Sequence, residues 1–216
     1  MSCRLPAEVL AYIESCETDT PFRVAAEQKA LAAYVRRVFE TEDIYVDEQQ
    51  AEKYLGLVKY FPYKNLLPWE AFLLILWNCT YKADGTPRWK TVFVFVGRGA
   101  GKDGYIAFDS ACSLSPYNSV AHYNVDICAN NEDQATQPSR DLVEVLESTK
   151  WATKLNRHYY HTKEIIQGRK NKGVMKGRTN NPKGRDGMRS GKIIFNEVHA
   201  YENYDNIKVF TTGLGK

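Results

Sequence analysis

Apolar residues recur at helical spacing in the first part of the chain. Residues 25–40 carry apolar side chains every three or four positions, which predicts a helix over Ala25–Glu40. The ranges Glu48–Tyr60 and Trp69–Cys79 have a similar period and predict two more helices. We therefore expect a helical N-terminal segment over residues 1–66, ahead of a second region over residues 67–216.

The pattern changes beyond residue 80, where an Asp84-Gly85 turn signal introduces short apolar runs. Strands are predicted at Thr91–Val96, Tyr123–Cys128, Ile193–Phe195 and Asn206–Phe210, extended segments near Arg157–Ile166 and Gly173–Asn180, and helices from Lys102 and over Asp133–Ser148. Because strands alternate with helices, the prediction is an α/β fold with a mostly parallel sheet that binds its ligand at the carboxyl ends of the strands.

A glycine-rich turn follows the first predicted strand of this region. The apolar run ending at Val96 leads into Gly97, Arg98, Gly99, Ala100, Gly101, Lys102 and Asp103. Backbone N–H groups of such a turn can surround a phosphate, the following helix presents its positive end, and a lysine reaches the terminal phosphates. The segment predicts a phosphate-binding loop, although a strict pattern needs Gly at Val96 and a hydroxyl at Asp103. A tight turn before a solvated helix is the alternative.

A second apolar strand, Lys192–Phe195, ends on Asn196 and Glu197. This is the arrangement of a Walker B strand, in which the first acid holds Mg²⁺ and the following glutamate activates the attacking water. Glu197 fits the second role, whereas Asn196 stands where the metal-binding carboxylate is expected. His199 is interpreted as orienting Glu197 or capping the strand end.

The two departures compensate each other if Asp103 and Asn196 have exchanged roles. A carboxylate in the phosphate loop and an amide on the strand would together leave one negative oxygen ligand for Mg²⁺. The sequence leaves open that the site has decayed and binds nucleotide weakly or not at all, as in a defunct fragment, or that the chain is a nucleotide-binding module without turnover. A small-molecule kinase is a third alternative, against which the glutamate after the strand speaks.

Five segments in order resemble the large terminase subunits of tailed bacteriophages, the motors that package viral DNA. They are Leu67–Phe72 with Pro68-Trp69-Glu70, the loop Gly97–Lys102, the segment Ala129–Ala135, the strand end Phe195–Tyr201 and the segment Thr211–Lys216. The resemblance covers residues 67–216. It implies a P-loop NTPase fold of the additional-strand, catalytic-glutamate type.

The resemblance also implies residue roles. Trp69 and Glu70 would lie beside the adenine, Arg98 in the phosphate loop would assist Glu197 in catalysis, and Thr211, Thr212 and Gly213 would couple hydrolysis to movement. An arginine acting on the neighbouring subunit's site is expected near Arg185 or Arg189. The implied cofactors are ATP and Mg²⁺.

The implied partners are double-stranded DNA, further copies of the chain in a ring on a portal protein, and a small terminase subunit. The family's subunits continue into more core strands and a nuclease domain, so an ATPase core that lacks those strands is expected here. The resemblance places such a protein in the cytoplasm of a bacterial host.

Composition agrees with one sizeable core, since 44% of the 216 residues are hydrophobic and 25% are charged. The longest apolar run, Ala71–Trp77, is far shorter than the roughly 20 residues that cross a bilayer, so no membrane contact is predicted. The five cysteines have no C-x-x-C spacing and predict neither a zinc site nor a disulfide framework.

The net charge of +3 is unevenly distributed. Residues 150–192 hold thirteen Lys or Arg and only Glu164 and Asp186 as acids, a local charge of +11. Such a block can attract a phosphate backbone, and it can equally be a solvated loop. The sequence leaves both interpretations open.

Overall fold

A computed structural model describes residues 4–18, 24–148, 150–162, 165–179, 189–201, 207–208, 211 and 214. The chain forms two compact units, one of residues 1–59 and 63–96 and the other of residues 60–62 and 97–216. The predicted domain boundary after residue 66 stays a prediction.

The first unit is mainly helical. Its elements are α1 (Ala7–Glu17), α2 (Ala26–Thr41), β1 (Ile44–Val46), α3 (Glu48–Leu55), α4 (Pro68–Cys79) and β2 (Thr80–Lys82), with a 3-10 helix at Val58–Tyr60 that runs to the unit boundary. The strands β1 and β2 pair antiparallel. The core is built from the faces that the helices turn inward, including Val9, Ile13, Val35, Leu74 and Ile75.

The three helices predicted in this region are confirmed, with small differences at their ends. The Asp-Gly turn is also confirmed, since Gly85 has a φ of 79° and the Thr86 N–H donates to Asp84 Oδ1 at 2.9 Å. Helix α1 was not predicted from the sequence.

The second unit is an α/β layer structure. Its elements are α5 (Lys102–Leu114), β3 (Asn124–Ala129), α6 (Glu132–Glu147), α7 (Ala152–Leu155), β4 (Tyr159–His161), β5 (Ile166–Gly168), β6 (Val174–Thr179), β7 (Ser190–Phe195) and a 3-10 helix at Val198–Ala200. The strand order in the sheet is β4-β5-β6-β3-β7.

The predicted mostly parallel sheet is right only for the three strands β6, β3 and β7, at one end of the sheet. The strand β3 pairs in parallel with β6 and with β7, whereas β4 with β5 and β5 with β6 are antiparallel. The connections 162–165 and 169–173 explain the difference, because a parallel crossover needs a dozen or more residues. The sheet is therefore mixed.

Helices α5 and α6 cover the sheet closely. Every residue of α5 from Tyr105 to Leu114 is buried. A Cβ built on Gly177 of β6 would lie 2.7 Å from the Ala135 carbonyl oxygen, so only glycine lets α6 approach this strand without a backbone shift.

Two predicted strands are absent from the described residues. Residues 91–97 form no strand, and the side chains of Phe93 and Phe95 are 81% and 91% exposed. Ile207, Lys208 and Thr211 are helical instead of extended, and the rest of Asn206–Phe210 lies outside the described residues. Alternating apolar residues favour a strand, but a strand exists only where a neighbour completes its hydrogen bonds.

Within the described ranges, no helix is both long and apolar enough to cross a membrane.

Candidate functional site

The glycine-rich turn is built by backbone conformations that favour glycine. Gly99 and Gly101 have φ values of 80° and 84°, in the left-handed region. The Ala100 N–H donates to the Gly97 carbonyl oxygen at 3.3 Å, and Gly101 is the N-cap of α5. The first N–H groups of α5 have no partner within the helix, so this turn ends on a set of donors suited to an anion.

Lys102, the first residue of α5, meets the end of β7. Its Nζ donates a short hydrogen bond to Asn196 Oδ1 and lies 2.7 Å from Glu197 Oε1 and 3.2 Å from Asp103 Oδ1. The side chains of Lys102 and Glu197 are each 28% exposed. One ammonium group thus has three oxygen partners at the carboxyl end of the sheet.

Asn196 holds this cluster to the sheet. It is buried, and its backbone N–H donates to the Cys128 carbonyl oxygen at 2.8 Å. Its side-chain amide donates to Asp103 Oδ1 at 3.1 Å and to the Gln134 carbonyl oxygen at 3.4 Å. The structure therefore brings together Asp103 and Asn196, the two residues expected to have exchanged roles.

Glu197 sits in a tight bend directly after β7. Its φ of 55° and ψ of 45° are left-handed, which is uncommon for a residue other than glycine and marks local strain. His199 Nδ1 lies 3.3 Å from Glu197 Oε2 and its side chain is 80% exposed. The carboxylate of Glu197 is held between Lys102 on one side and His199 on the other.

Arg98 is exposed in the turn, and no carboxylate of the described residues forms an ion pair with it. Its position beside Gly97 and Gly99 leaves the guanidinium available to an anion at the start of α5.

Trp69 and Glu70 belong to the first unit, where they begin α4. The buried Glu70 accepts the Leu67 N–H at 2.7 Å through Oε2, as an N3 glutamate does when it caps a helix start. Burial raises the pKa of Glu70. Trp69 is half-buried. The Pro-Trp-Glu segment thus has a local structural reason, since Pro68 occupies the first helical position.

The predicted arginine Arg189 lies apart from the cluster. Arg189 is exposed just before β7, at the opposite end of that strand from Asn196, and its carbonyl oxygen accepts the Asn124 amide at 3.1 Å. Thr211 is exposed, and its Oγ1 donates to the Ile207 carbonyl oxygen at 2.8 Å. Arg185, Thr212 and Gly213 lie outside the described residues.

Sequence reasoning missed a buried ion pair beside the site. Lys192 Nζ in β7 lies 2.8 Å from Asp109 Oδ2 in α5, and the two side chains are 3% and 1% exposed. The signal for this ion pair in the sequence was a lysine within an apolar strand together with an aspartate within an apolar helix. The pair fixes α5 against β7, and so places Lys102 relative to Glu197.

Two further contacts fix the loop after β7. The Tyr201 hydroxyl donates to the Cys128 carbonyl oxygen at 2.8 Å, and burial raises the pKa of Tyr201 well above its usual range. The Asn130 amide donates to the Ala200 carbonyl oxygen. The ends of β3 and β7 are thereby tied together beneath the cluster.

Gln134, which follows β3 on α6, is another residue that the sequence analysis did not identify. Its Oε1 is buried and has no hydrogen-bond partner among the described residues. Its backbone N–H is satisfied by Asn131 Oδ1 at 2.9 Å, which caps the start of α6.

No protein-family model matches the sequence, and no curated protein matches it. One solved structure has a similar fold, the crystal structure of the large terminase of bacteriophage HK97. The match has a TM-score of 0.61 and 20% sequence identity, and it covers 76% of this chain. The chain therefore has a terminase-like fold, and the matched part is 35% of that terminase chain.

Proposed function

We propose that this chain is an ATP-binding and ATP-hydrolysing motor domain that powers the movement of viral DNA during phage genome packaging. The observation that carries the proposal is the meeting of Lys102, at the start of α5, with Asn196 and Glu197, at the end of β7. A glycine turn with left-handed glycines leads into this lysine. The terminase-like fold supports the same reading.

The Lys102–Glu197 contact suggests how nucleotide enters. In the described structure the carboxylate of Glu197 is a partner of the ammonium group, at 2.7 Å. The terminal phosphates of ATP are stronger acceptors for that ammonium and also meet the N–H groups at the start of α5. Binding would exchange Glu197 for phosphate on Lys102, and the released carboxylate could then take a proton from an attacking water.

The oxygen atoms of Asp103 and Asn196 fit Mg²⁺. Asn196 Nδ2 donates to Asp103 Oδ1 at 3.1 Å, and Asp103 is 44% exposed. Asn196 Oδ1 accepts from Lys102 Nζ, so this amide oxygen would join the Asp103 carboxylate as a metal ligand once Lys102 turns to the phosphates. The described residues contain no cluster of three or more His, Cys, Asp or Glu, but Mg²⁺ is usually held by one or two protein oxygens together with phosphates and waters. Bound there, the ion would neutralise charge on the phosphates.

A nucleotide-binding module without turnover is the second candidate. The observation that favours it is Asn196, which has an amide where a motor of this kind is expected to carry a carboxylate. In that case ATP would bind through Lys102 while replacement of Glu197 would leave the residual rate of hydrolysis unchanged.

The other partners follow from the resemblance and belong to the same proposal. They are double-stranded DNA, a ring of identical subunits on a portal protein, and a small terminase subunit. Arg189 is far along β7 from its own chain's Glu197, which is compatible with an arginine that serves the site of a neighbouring subunit. Arg185, Thr211, Thr212 and Gly213 keep the roles that the resemblance implies, as proposals.

Calorimetric titration of the purified chain with ATP and Mg²⁺ tests the site. Lys102→Ala should weaken binding by roughly 10- to 100-fold, the scale of a lost hydrogen bond to a charged group. Arg140→Ala is the matched control, because it removes an exposed cation of the same unit, on α6. Equal affinity of Lys102→Ala and the unaltered chain would rule out the phosphate-binding role.

A further inference from the structure

The edge of the five-stranded sheet opposite the nucleotide cluster carries exposed positive charges. Asn196 and Glu197 follow the end of β7, whereas this second edge lies at the starts of β3, β4, β6 and β7 and at the end of β5. Six exposed cations lie there or on the segment 150–157, which includes α7 and leads into β4, and we name them the basic edge: Lys150, Lys154, Arg157, Arg169, Lys170 and Lys172.

The basic edge has no acidic counterpart among the described residues. The described parts of 115–125 and 148–179 contain no Asp or Glu, Glu164 lies outside them, and α6 ends at Glu147 before the stretch begins. None of the six cations is ion-paired with a described carboxylate. Burial, and then the charge of Arg157, lower the pKa of His158 beside them. This surface therefore presents positive charge that no described carboxylate neutralises.

Hydrogen bonds hold parts of the basic edge in place. Arg169 Nε donates to the Asn156 carbonyl oxygen at 2.7 Å and to that of Tyr159 at 3.1 Å, which ties the residue after β5 to the start of β4. Lys170 Nζ lies 3.2 Å from the Pro116 carbonyl oxygen. Lys172 takes a left-handed φ of 59° in the turn between β5 and β6. Arg169, Lys170 and Lys172 are thus held in the short turn between β5 and β6.

The size of the edge suits a nucleic-acid duplex. Four strand spacings of ~4.8 Å separate β4 from β7, a row of roughly 19 Å, and Arg189 extends the positive charge to β7. A duplex carries one negative charge per ~1.7 Å of its axis, so about eleven phosphates lie along that length. An array of six or seven cations can neutralise several of them at once.

The aromatic side chains at this edge argue against base stacking. Lys150 and Lys154 Nζ lie over the ring of Trp151, at 4.8 and 5.5 Å from its centroid, and the guanidinium of Arg169 lies 5.7 Å from that of Tyr160. Rings covered by cations are not open platforms for unpaired bases. The chemistry of the edge therefore fits a phosphate backbone better than a single strand.

We infer that the basic edge binds the phosphate backbone of double-stranded DNA, on the side of the sheet away from the nucleotide cluster. The inference deepens the proposed function, on which its choice of DNA rests. Phosphate contacts of this kind carry no sequence specificity and weaken steeply with salt. Nucleotide and DNA would then be bound at opposite edges of the same sheet.

Fluorescence anisotropy with a labelled 30-base-pair duplex, without nucleotide or Mg²⁺, tests the inference. The combined variant Lys154→Gln, Arg157→Gln and Lys170→Gln should bind at least ~10-fold more weakly near 0.1 M salt. The slope of log affinity against log salt should fall by up to about 2.7, since each lost phosphate contact contributes ~0.9.

Two matched variants distinguish the effect of where the charges lie from the effect of the total charge of the chain. Lys64→Gln, Lys82→Gln and Lys90→Gln remove the same charge from the first unit and should leave binding unchanged. Lys154→Arg, Arg157→Lys and Lys170→Arg keep the charge at the edge and should retain affinity, which also shows that substitution there does not unfold the chain. An equal loss in the first-unit variant, or no loss in the edge variant, would overturn the inference.

Two competition arms decide the partner. A single strand that binds as tightly as the duplex, or polyglutamate that displaces the duplex at equal charge, would overturn the assignment to duplex DNA. Lys102→Ala should bind the duplex like the unaltered chain. If the chain fails to bind ATP but still binds DNA through the basic edge, only the nucleotide proposal is overturned.

Discussion

Two lysine–carboxylate pairs join α5 to β7 or to the residues just after it, and they differ in what surrounds them. Lys192 and Asp109, in the middle of the strand and helix, are almost fully buried and pair at 2.8 Å. Lys102 and Glu197, at the carboxyl end of β7, pair at 2.7 Å, and each side chain is 28% exposed. Lys102 also contacts Asp103 and Asn196, and Glu197 also contacts His199. The buried pair has little room for an outside ligand, whereas the second can exchange one partner for another.

Contact distance alone therefore does not distinguish a pair that is fixed in the core from a pair that can exchange a partner for an outside ligand. Removing one member of a buried pair leaves an uncompensated charge in the core, whereas an accessible pair contributes little to stability. We therefore expect variants of the buried pair to lose stability and variants of the accessible pair to lose ligand binding, when both properties are measured on the same variants.

The largest effect should come from Asp109→Ala. It would leave the ammonium of Lys192 buried without its counter-ion, at a cost of about 3–5 kcal/mol in the free energy of unfolding. Urea denaturation measures this loss. The double variant Asp109→Leu with Lys192→Met should recover most of it, since apolar residues can replace a buried pair. A loss below ~1 kcal/mol for Asp109→Ala would mean that the pair does not lock α5 to β7.

Asn196→Asp should have the next largest effect. It replaces the donor to Asp103 Oδ1 with a second carboxylate in a buried position, and we expect a loss of ~1–3 kcal/mol without Mg²⁺. Thermal unfolding with and without Mg²⁺ measures it, and the ion should restore part of the stability. The reciprocal exchange Asp103→Ser with Asn196→Asp serves as the control and should be close to the unaltered chain. A more stable Asn196→Asp in the absence of Mg²⁺ would contradict the role exchange.

Lys102→Met should change stability by no more than ~1 kcal/mol, because its pair with Glu197 is accessible to solvent. The same variant should lose affinity for ATP, as argued for Lys102→Ala. Chemical denaturation and calorimetry on one preparation check both statements. A destabilisation as large as that of Asp109→Ala would erase the distinction between the two pairs.

The smallest effect is expected in the first unit, where Arg88 binds Glu42 with two hydrogen bonds, from Nε at 2.5 Å and Nη2 at 2.7 Å. The hydrogen bond from Arg88 lowers the pKa of Glu42, which is 38% exposed. Glu42→Gln should therefore cost ~1 kcal/mol or less at pH 7.

The pH dependence of that pair follows from the direction of the shift. A lowered folded-state pKa gives a stabilisation that is complete above the ordinary glutamate pKa of about 4.3 and is lost as the pH falls through the folded value. The difference in unfolding free energy between Glu42→Gln and the unaltered chain should shrink towards zero as the pH falls below the lowered folded-state pKa. A difference that grows on acidification would contradict the assignment.

Periodicity was sufficient to locate most helices and the ends of β3 and β7. The apolar period found α2, α3, α4 and α6, because each of these helices buries one face in its own unit. Helix α5 was located by the glycine-rich turn before it, and it is buried on every side from Tyr105 to Leu114. It overpredicted a strand at Thr91–Val96, since alternation describes side chains but not the hydrogen-bonding neighbour that a strand requires. The antiparallel strands β4 and β5 were predicted only as extended segments, because their direction depends on the short turns between them.

The candidate site was predictable where its residues are adjacent in the sequence. Gly101, Lys102, Asn196 and Glu197 stand beside strands and helix starts that the sequence pattern locates, and the structure brings their ends together. Contacts across long separations were not predictable, above all that of Asp109 with Lys192, which are 83 positions apart. The alternative role of Glu70, capping α4, was also hidden until its partner Leu67 was known.

The central claim is that Lys102 and Glu197 belong to a nucleotide-hydrolysing site, and Mg²⁺-dependent ATP hydrolysis by the Glu197→Gln variant tests it most directly. We predict that the unaltered chain hydrolyses ATP, and that Glu197→Gln binds ATP with similar affinity but turns it over at least ~100-fold more slowly, the scale of a lost general base. Equal rates for Glu197→Gln and the unaltered chain would contradict the account.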